Sequence, residues 1–476
     1  MKILLKQWFI LGWMLLVLVT CDSDKVPQSY EAAKITQVTP GFVPEEPQRH
    51  GDPKAGYNAI INKPYLTCGI PYSAYQKSTL FPPPQYSLPE RKGINKNLPY
   101  YQTYYETQEG TGLVVNNCLL CHGSPFNGEL IVGLGNESLD LTQDIVANAE
   151  SIGVYVEGKK ETKEWRKWVD RVTGIAPYLR TDTIGVNSAV NLTWGIFAHR
   201  DPKTLAWSNE LLMDPPSEKP LPVSVPPWWR MKKQNGMFYS AAGRGDHARL
   251  EIMASSLCAE SVKDAQMVDS YAPDIQEYIA SLKPPTYPFK IDQSLASQGK
   301  DIFNTHCARC HGTYGEKEEY PNLVISLAEI GTDPEYIKTA MGSDLDRSGP
   351  WLAQSFYGQG THVAKVDGYL APPLDGVWAT APYLHNGSVP TLESLLNSAQ
   401  RPKYWTRTFD TKDYNDKTLG WNYTQLDYGK SGAKKSEEQK KIYDTSLSGY
   451  GNMGHTFGDV LSKQERHQLL EYLKTL

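Results

Sequence analysis

Two six-residue runs carry the residue types and spacing most able to do chemistry: Cys118-Leu119-Leu120-Cys121-His122-Gly123 and Cys307-Ala308-Arg309-Cys310-His311-Gly312. Two thiols three positions apart, followed at once by an imidazole, suit covalent haem attachment. Each thiol adds to a vinyl group and the histidine reaches the iron as its proximal ligand. A bare Cys-x-x-Cys would fit a redox disulfide or half a zinc site equally well. Here histidine and glycine follow both pairs, so the reading is two covalently bound c-type haems, with Cys118, Cys121 and His122 holding one and Cys307, Cys310 and His311 the other.

The sixth position of each iron decides function. A histidine or methionine there makes an electron-transfer haem, whereas an empty or water-bound position admits peroxide or oxygen. Gly451-Asn452-Met453-Gly454-His455 offers two ligands to the second haem, His455 first and Met453 as its alternative. The matching place in the first unit is Ser261, and its neighbours Ala259, Glu260 and Val262 supply no usual ligand. An open first haem and a closed second haem are therefore expected. His199 and His247 are candidate distal residues for the first, against a structural hydrogen-bonding role for each.

Positioning these groups requires helices. Asp274 to Lys283 places Ile275, Tyr278, Ile279 and Leu282 on one face, and Leu469 to Leu476 nearly copies it after Ser462 and Glu465 at capping-box spacing. From His122 to Tyr278 is 156 residues and from His311 to Tyr472 is 161, which suggests duplication of one module. The segment Leu295 to Phe303 predicts the helix leading into Cys307. The expected architecture is mainly α, with two cytochrome c-like haem domains, long loops and an N-terminal extension. Its divisions are a signal segment at 1–20, the extension at 21–97, a first haem domain at 98–288 and a second at 289–476. Asn415 to Ser446, with Lys434, Lys435, Lys440 and Lys441, reads as a solvated insertion.

With 40% hydrophobic residues and a formal charge of -5 over 476 residues, the chain can build sizeable cores and has no basic excess for nucleic acid. Lys2 and Lys6, the apolar run Trp8 to Val19 and then Cys21 predict an export signal. Leu18-Val19-Thr20-Cys21 resembles a lipobox and so predicts lipidation at Cys21, with the protein anchored in the bacterial cell envelope and facing the periplasm. Of seven cysteines, haem takes four and lipid one. The remaining Cys68 and Cys258 either pair as a disulfide or stay as two buried thiols.

Ala371-Pro372-Pro373-Leu374-Asp375-Gly376-Val377-Trp378 through Tyr383-Leu384-His385-Asn386-Gly387-Ser388-Val389-Pro390 resembles the C-terminal signature of bacterial dihaem cytochrome c peroxidases. It is more similar to the subgroup containing dihaem rubber oxygenases. Further matches to that subgroup are Gly56-Tyr57, Tyr65 with Cys68-Gly69-Ile70-Pro71, Pro226-Pro227-Trp228-Trp229-Arg230, Gly243-Arg244-Gly245-Asp246 and Gly451 to His455. The resemblance implies an N-terminal haem that binds peroxide or oxygen and a C-terminal haem that receives electrons. It also implies an aromatic residue between the haems, for which Trp228 and Trp229 are candidates, and a calcium ion, for which Asp344 and Asp346 are candidates. His385 is read as structural.

The expectation is an oxidoreductase fed by a small redox protein or a quinol-linked donor, acting on hydrogen peroxide or oxygen, with a hydrophobic organic substrate in the oxygenase version. The alternative is a pure electron carrier with both irons six-coordinate, serving another envelope enzyme.

Overall fold

Local capping decides where the first helix starts. Asp52 accepts the Ala55 amide and Pro53 supplies a preset φ, so helix α1 (Pro53–Asn62) begins there. The chain then forms β1 (Ile70–Pro71), β2 (Gln102–Glu106) and β3 (Gly112–Asn116), an antiparallel sheet with β3 in the middle. Further on come β4 (Gly243–Gly245), α2 (His247–Glu251), α3 (Ala272–Ser281) and α4 (Gln293–His306), the last capped by Asp292. After these lie α5 (Ser343–Gln354), β5 (Thr361–Lys365) and the closing helix α6 (Lys463–Leu473). Ser462 and Glu465 form both halves of the capping box on α6. This computed structural model describes residues 36–37, 41–81 and 83–476, which fall in one contact unit, Ala32–Leu476. The signal segment 1–20 and Cys21 lie outside the described residues.

The closing helices each cross a partner at a glycine. A Cβ on Gly299 of α4 would stand 2.0 Å from the Gln468 carbonyl oxygen and 2.9 Å from the Tyr472 Cβ of α6. On Gly56 of α1 it would stand 1.9 Å from the Asp274 carbonyl oxygen and 2.9 Å from the Tyr278 Cβ of α3. Only a residue without a side chain lets the backbones approach this closely. The same glycine–tyrosine crossing thus occurs twice, α1 on α3 and α4 on α6. Helix α1 lies in the stretch read as an extension, and the expected boundary at residue 98 separates it from the helix it packs on. Whereas α4 runs straight into Cys307, the β1–β3–β2 sheet intervenes between α1 and Cys118.

The fold is mixed α/β, which corrects the expectation of a mainly α protein. About 40% is helical and 13% is strand, spread among many small sheets. The strands are two to five residues long, too short to show alternation, and distant partners create several of them. Ile70 pairs with Val114, and Arg244 with His362. The stretch from Asn415 to Ser446 is also more than a solvated insertion. Its Trp421 and Tyr443 are buried, and Tyr443 stacks on Trp405 with ring centres 5.2 Å apart.

The cores join the two halves of the chain. Phe197 stacks on Trp351 at 3.8 Å, and the Trp351 indole donates to the Arg200 carbonyl at 2.7 Å. A second cluster gathers Phe126 and Trp229 with Trp378, Leu469 and Tyr472. Among the described residues no helix is long and apolar enough to cross a membrane.

Candidate haem sites

At the second motif, Ala308–His311 is a single helical turn continuing from α4, so Cys307, Cys310 and His311 project together. His311 Nδ1 stands 2.8 Å from the Pro372 carbonyl oxygen. A proton held there for that carbonyl leaves the Nε2 lone pair for a metal. Burial keeps the ring neutral, with a pKa below the ordinary histidine range. The His455 ring faces it, 6.2 Å away between centres. An imidazole nitrogen binds a metal at about 2.0 Å and lies about 1.1 Å from its ring centre, so two rings sharing one iron stand about 6 Å apart. The observed gap fits an iron between them.

The loop carrying His455 is held tightly. The His455 amide donates to the Ile330 carbonyl at 2.7 Å, and Gly454, at φ 73°, passes so close to Gly331 that a Cβ would stand 2.1 Å from its carbonyl carbon. His455 itself has φ 46°, a conformation that non-glycine residues adopt only when surroundings impose it. Burial first, then the neighbouring His311 and Arg401, push its pKa down to about 4. Met453, its sequence alternative, is 52% exposed.

At the first motif, Leu119–His122 is again one helical turn. His122 is pushed down to about 4 by burial, and its Nδ1 has no hydrogen-bond partner among the described residues. Trp228 stacks on His122, ring centres 4.9 Å apart and planes 18° apart. Among the described residues no second imidazole stands to His122 as His455 stands to His311. The four motif cysteines form no disulfides and so are available for thioether bonds. With the two histidines they supply the donor types that haem c requires.

The aromatic pair touches both halves of the chain. Beside Trp228, the fully buried Trp229 donates its indole N–H to the Asp375 carbonyl at 2.9 Å, and Arg230 Nε donates to the same oxygen at 2.9 Å. Asp375 is three residues beyond Pro372, the acceptor facing His311. A chain of contacts thus leads from His122 through Trp228, Trp229 and Asp375 to Pro372 and His311.

Other candidates are placed elsewhere or used otherwise. His199 has Ser208 and Gly174 carbonyls at 3.0 and 3.2 Å from its two nitrogens and stacks on Trp207, which marks a structural role. His247 is buried on α2 beside Arg244, with Nε2 lacking a hydrogen-bond partner among the described residues. His385 stacks on Tyr369 at 4.2 Å, and its Nε2 meets the Tyr369 hydroxyl at 3.1 Å. Asp344 and Asp346 are in the first turn of α5 rather than in a loop. Asp344 is paired with Arg347 at 2.9 Å and Asp346 is exposed. Cys68 and Cys258 form a disulfide, S–S 2.08 Å.

Sequence reasoning missed Glu251 and gave Tyr65 no role beyond its place in the resemblance. The Tyr65 hydroxyl donates to the Glu251 carbonyl oxygen at 2.9 Å, and the phenol is held un-ionised by burial. Both Glu251 carboxyl oxygens are buried without a partner among the described residues, and burial raises the carboxyl pKa well above its usual range. His247 and Glu251 are four residues apart on α2, a spacing that signals one helical face.

Residues 368–406 match the family model described as RoxA-like, cytochrome c-like. The matched segment contains Pro372 and Asp375, the two carbonyls of the route just described. The match supports a haem cytochrome with oxidoreductase potential, and a cytochrome c-like segment implies haem c. It speaks for the rubber-oxygenase-like side of the resemblance rather than the peroxidase side. Among relatives, the chain is 28% identical over 292 residues to uncharacterized protein y4iJ of Sinorhizobium fredii, covering 47% of each chain. It is 29% identical over 241 residues to uncharacterized protein y4iM of the same organism, covering 42% of this chain and 53% of that one. The aligned regions thus span about half the length of these relatives.

Proposed function

We propose that this chain is an exported dihaem c-type cytochrome working as an oxidoreductase, with peroxide or oxygen chemistry at the first site and electron transfer through the second. The observation that carries the reading is the asymmetry of the imidazoles: His455 stands opposite His311 at iron-sharing distance, and His122 has no such counterpart among the described residues. Cys118, Cys121 and His122 would hold one haem, and Cys307, Cys310, His311 and His455 the other. Bound there, haem c supplies an iron that exchanges electrons and, where a coordination position is left, accepts a small oxidant.

The chain's own residues divide the work. Pro372 orients the His311 ring and Trp228 packs flat on the His122 ring, and Trp228 and Trp229 lie on the chain of contacts along which electrons pass between the sites. Glu251, kept protonated by burial beside Cys118, holds a proton on its carboxyl near the first attachment. The proposal includes lipidation at Cys21, a periplasm-facing place in the envelope and a small redox protein or quinol-linked donor. A mildly acidic chain suits a donor with a basic face. In the oxygenase version the organic substrate is hydrophobic.

The test is the absorption and EPR spectrum of the oxidised holoprotein, followed by peroxide turnover assayed beside oxygen consumption. One high-spin and one low-spin haem, with turnover of either oxidant, is the expected result. Two low-spin haems that bind no added ligand would instead establish the pure electron carrier.

A further inference from the structure

Arg401 is partly buried, and among the described residues it has no carboxylate at ion-pair distance. Its donors go instead to backbone carbonyls. Nη1 donates to Asn452 O at 2.7 Å and Gly454 O at 2.6 Å, Nη2 to His455 O at 3.0 Å and Leu395 O at 3.0 Å, and Nε to Ser394 O at 3.2 Å. A guanidinium has five N–H groups, and here there are five acceptors. Three belong to residues 452–455, a stretch with no helix or strand of its own. Hydrogen bonds from a charged donor are stronger than neutral ones, so this one side chain supplies much of what keeps His455 in its left-handed conformation.

The first half of the chain repeats the device. Arg200, fully buried, donates from Nη1 to the Leu205 and Ala259 carbonyls and from Nη2 to Leu257 O at 2.8 Å. The clamped carbonyls 257 and 259 have the same two-residue spacing as 452 and 454. Aligning on that spacing puts Glu260 where His455 stands. Glu260 turns outward to Arg171, Oε1 to Nη2 at 2.8 Å, with its side chain 53% exposed. The Cys68–Cys258 disulfide and a Thr67 hydroxyl donating to Cys258 O at 2.9 Å fasten the same loop.

We infer that Arg401 is a positioning residue that presents His455 to the second iron, and that Arg200 is its counterpart on a loop whose ligand position carries Glu260 and stays vacant of imidazole. The inference rests on the reading of His455 as the second distal ligand. Arg401 acts through the loop and touches no reacting atom.

The experiment compares Arg401→Gln, Arg401→Lys and His455→Ala holoproteins, each confirmed to carry the wild-type haem content. The readouts are the low-spin EPR signal and the rate of cyanide binding at the second haem, which requires His455 to leave. R401Q is expected to raise that rate about tenfold or more, or to convert part of the low-spin signal to high-spin, with R401K intermediate. Wild-type rate and signal in R401Q overturn the clamp. Should R401Q yield no holoprotein, the R401K rate decides, and an unchanged rate overturns it. H455A separates the two ideas: if H455A keeps the low-spin signal the ligand reading itself fails, whereas if H455A loses it and R401Q does not, only the clamp fails.

Discussion

Gly299→Ala should unfasten the second haem unit. The added Cβ would stand 2.0 Å from the Gln468 carbonyl oxygen, a backbone atom of α6 that no rotamer change can move. A carbon and an oxygen rest at about 3.3 Å, so α4 and α6 must part by roughly 1 Å, enough to forfeit a quarter to a half of each dispersion contact across the seam. That seam includes Ala296 and Phe303 on α4 and Leu469, Leu470 and Tyr472 on α6, all buried. Overpacking typically costs about 1–3 kcal/mol, and a backbone obstacle puts this case near about 3 kcal/mol. At about 2–4 °C per kcal/mol, the unfolding midpoint should fall by roughly 6–12 °C. Scanning calorimetry or haem-absorbance melting of the holoprotein reads this directly. Ser297→Ala, on the exposed face of the same helix, is the control and should change stability by less than about 0.5 kcal/mol. A Gly299→Ala variant no less stable than the control would refute the close crossing.

Further outcomes follow from other contacts. Replacing Trp228 and Trp229 together with Phe should slow electron transfer between the haems by an order of magnitude in stopped-flow measurements, and an unchanged rate would remove the pair from the route. The Cys68→Ala, Cys258→Ala double variant opens a link across 190 residues and should lose about 2–5 kcal/mol. Equal denaturant midpoints for the variant and the oxidised wild type would count against the bond. Glu137 is buried with one carboxyl oxygen unpartnered, and burial pushes its pKa up to about 8 despite Arg407. Its folded state therefore holds a proton that the unfolded chain releases at about pH 4–5, and stability should decline as pH rises from there through about 8. Glu137→Gln should flatten that decline, so denaturant midpoints for both proteins at pH 5 and 9 test it; parallel changes would contradict the argument.

Much of the chemistry was legible in the residues. The two Cys-x-x-Cys-His runs, the paired closing helices and the His455 loop all depend on short-range spacing, which a sequence displays directly. Helix α1 was hidden because what marks it as the partner of α3 is Gly56, and a glycine shows no pattern until the opposing backbone is present. Strands β1 and β4 escaped for the same reason, since they are made by partners far along the chain. Arg200 and Arg401 gave no signal because they bond to carbonyls, which every residue has. The pairing of Cys68 with Cys258, left open by counting, also needed the fold to bring positions 190 apart together.

The sequence by itself determined the attachment chemistry and the number of motifs, because covalent haem demands particular side chains at fixed local spacing. Tertiary structure alone decided which imidazole faces which, that Trp228 lies flat on His122, and that His455 rather than Met453 stands opposite His311. Those relations are distances between segments up to 144 residues apart, set by backbone crossings and buried hydrogen bonds rather than by any local pattern.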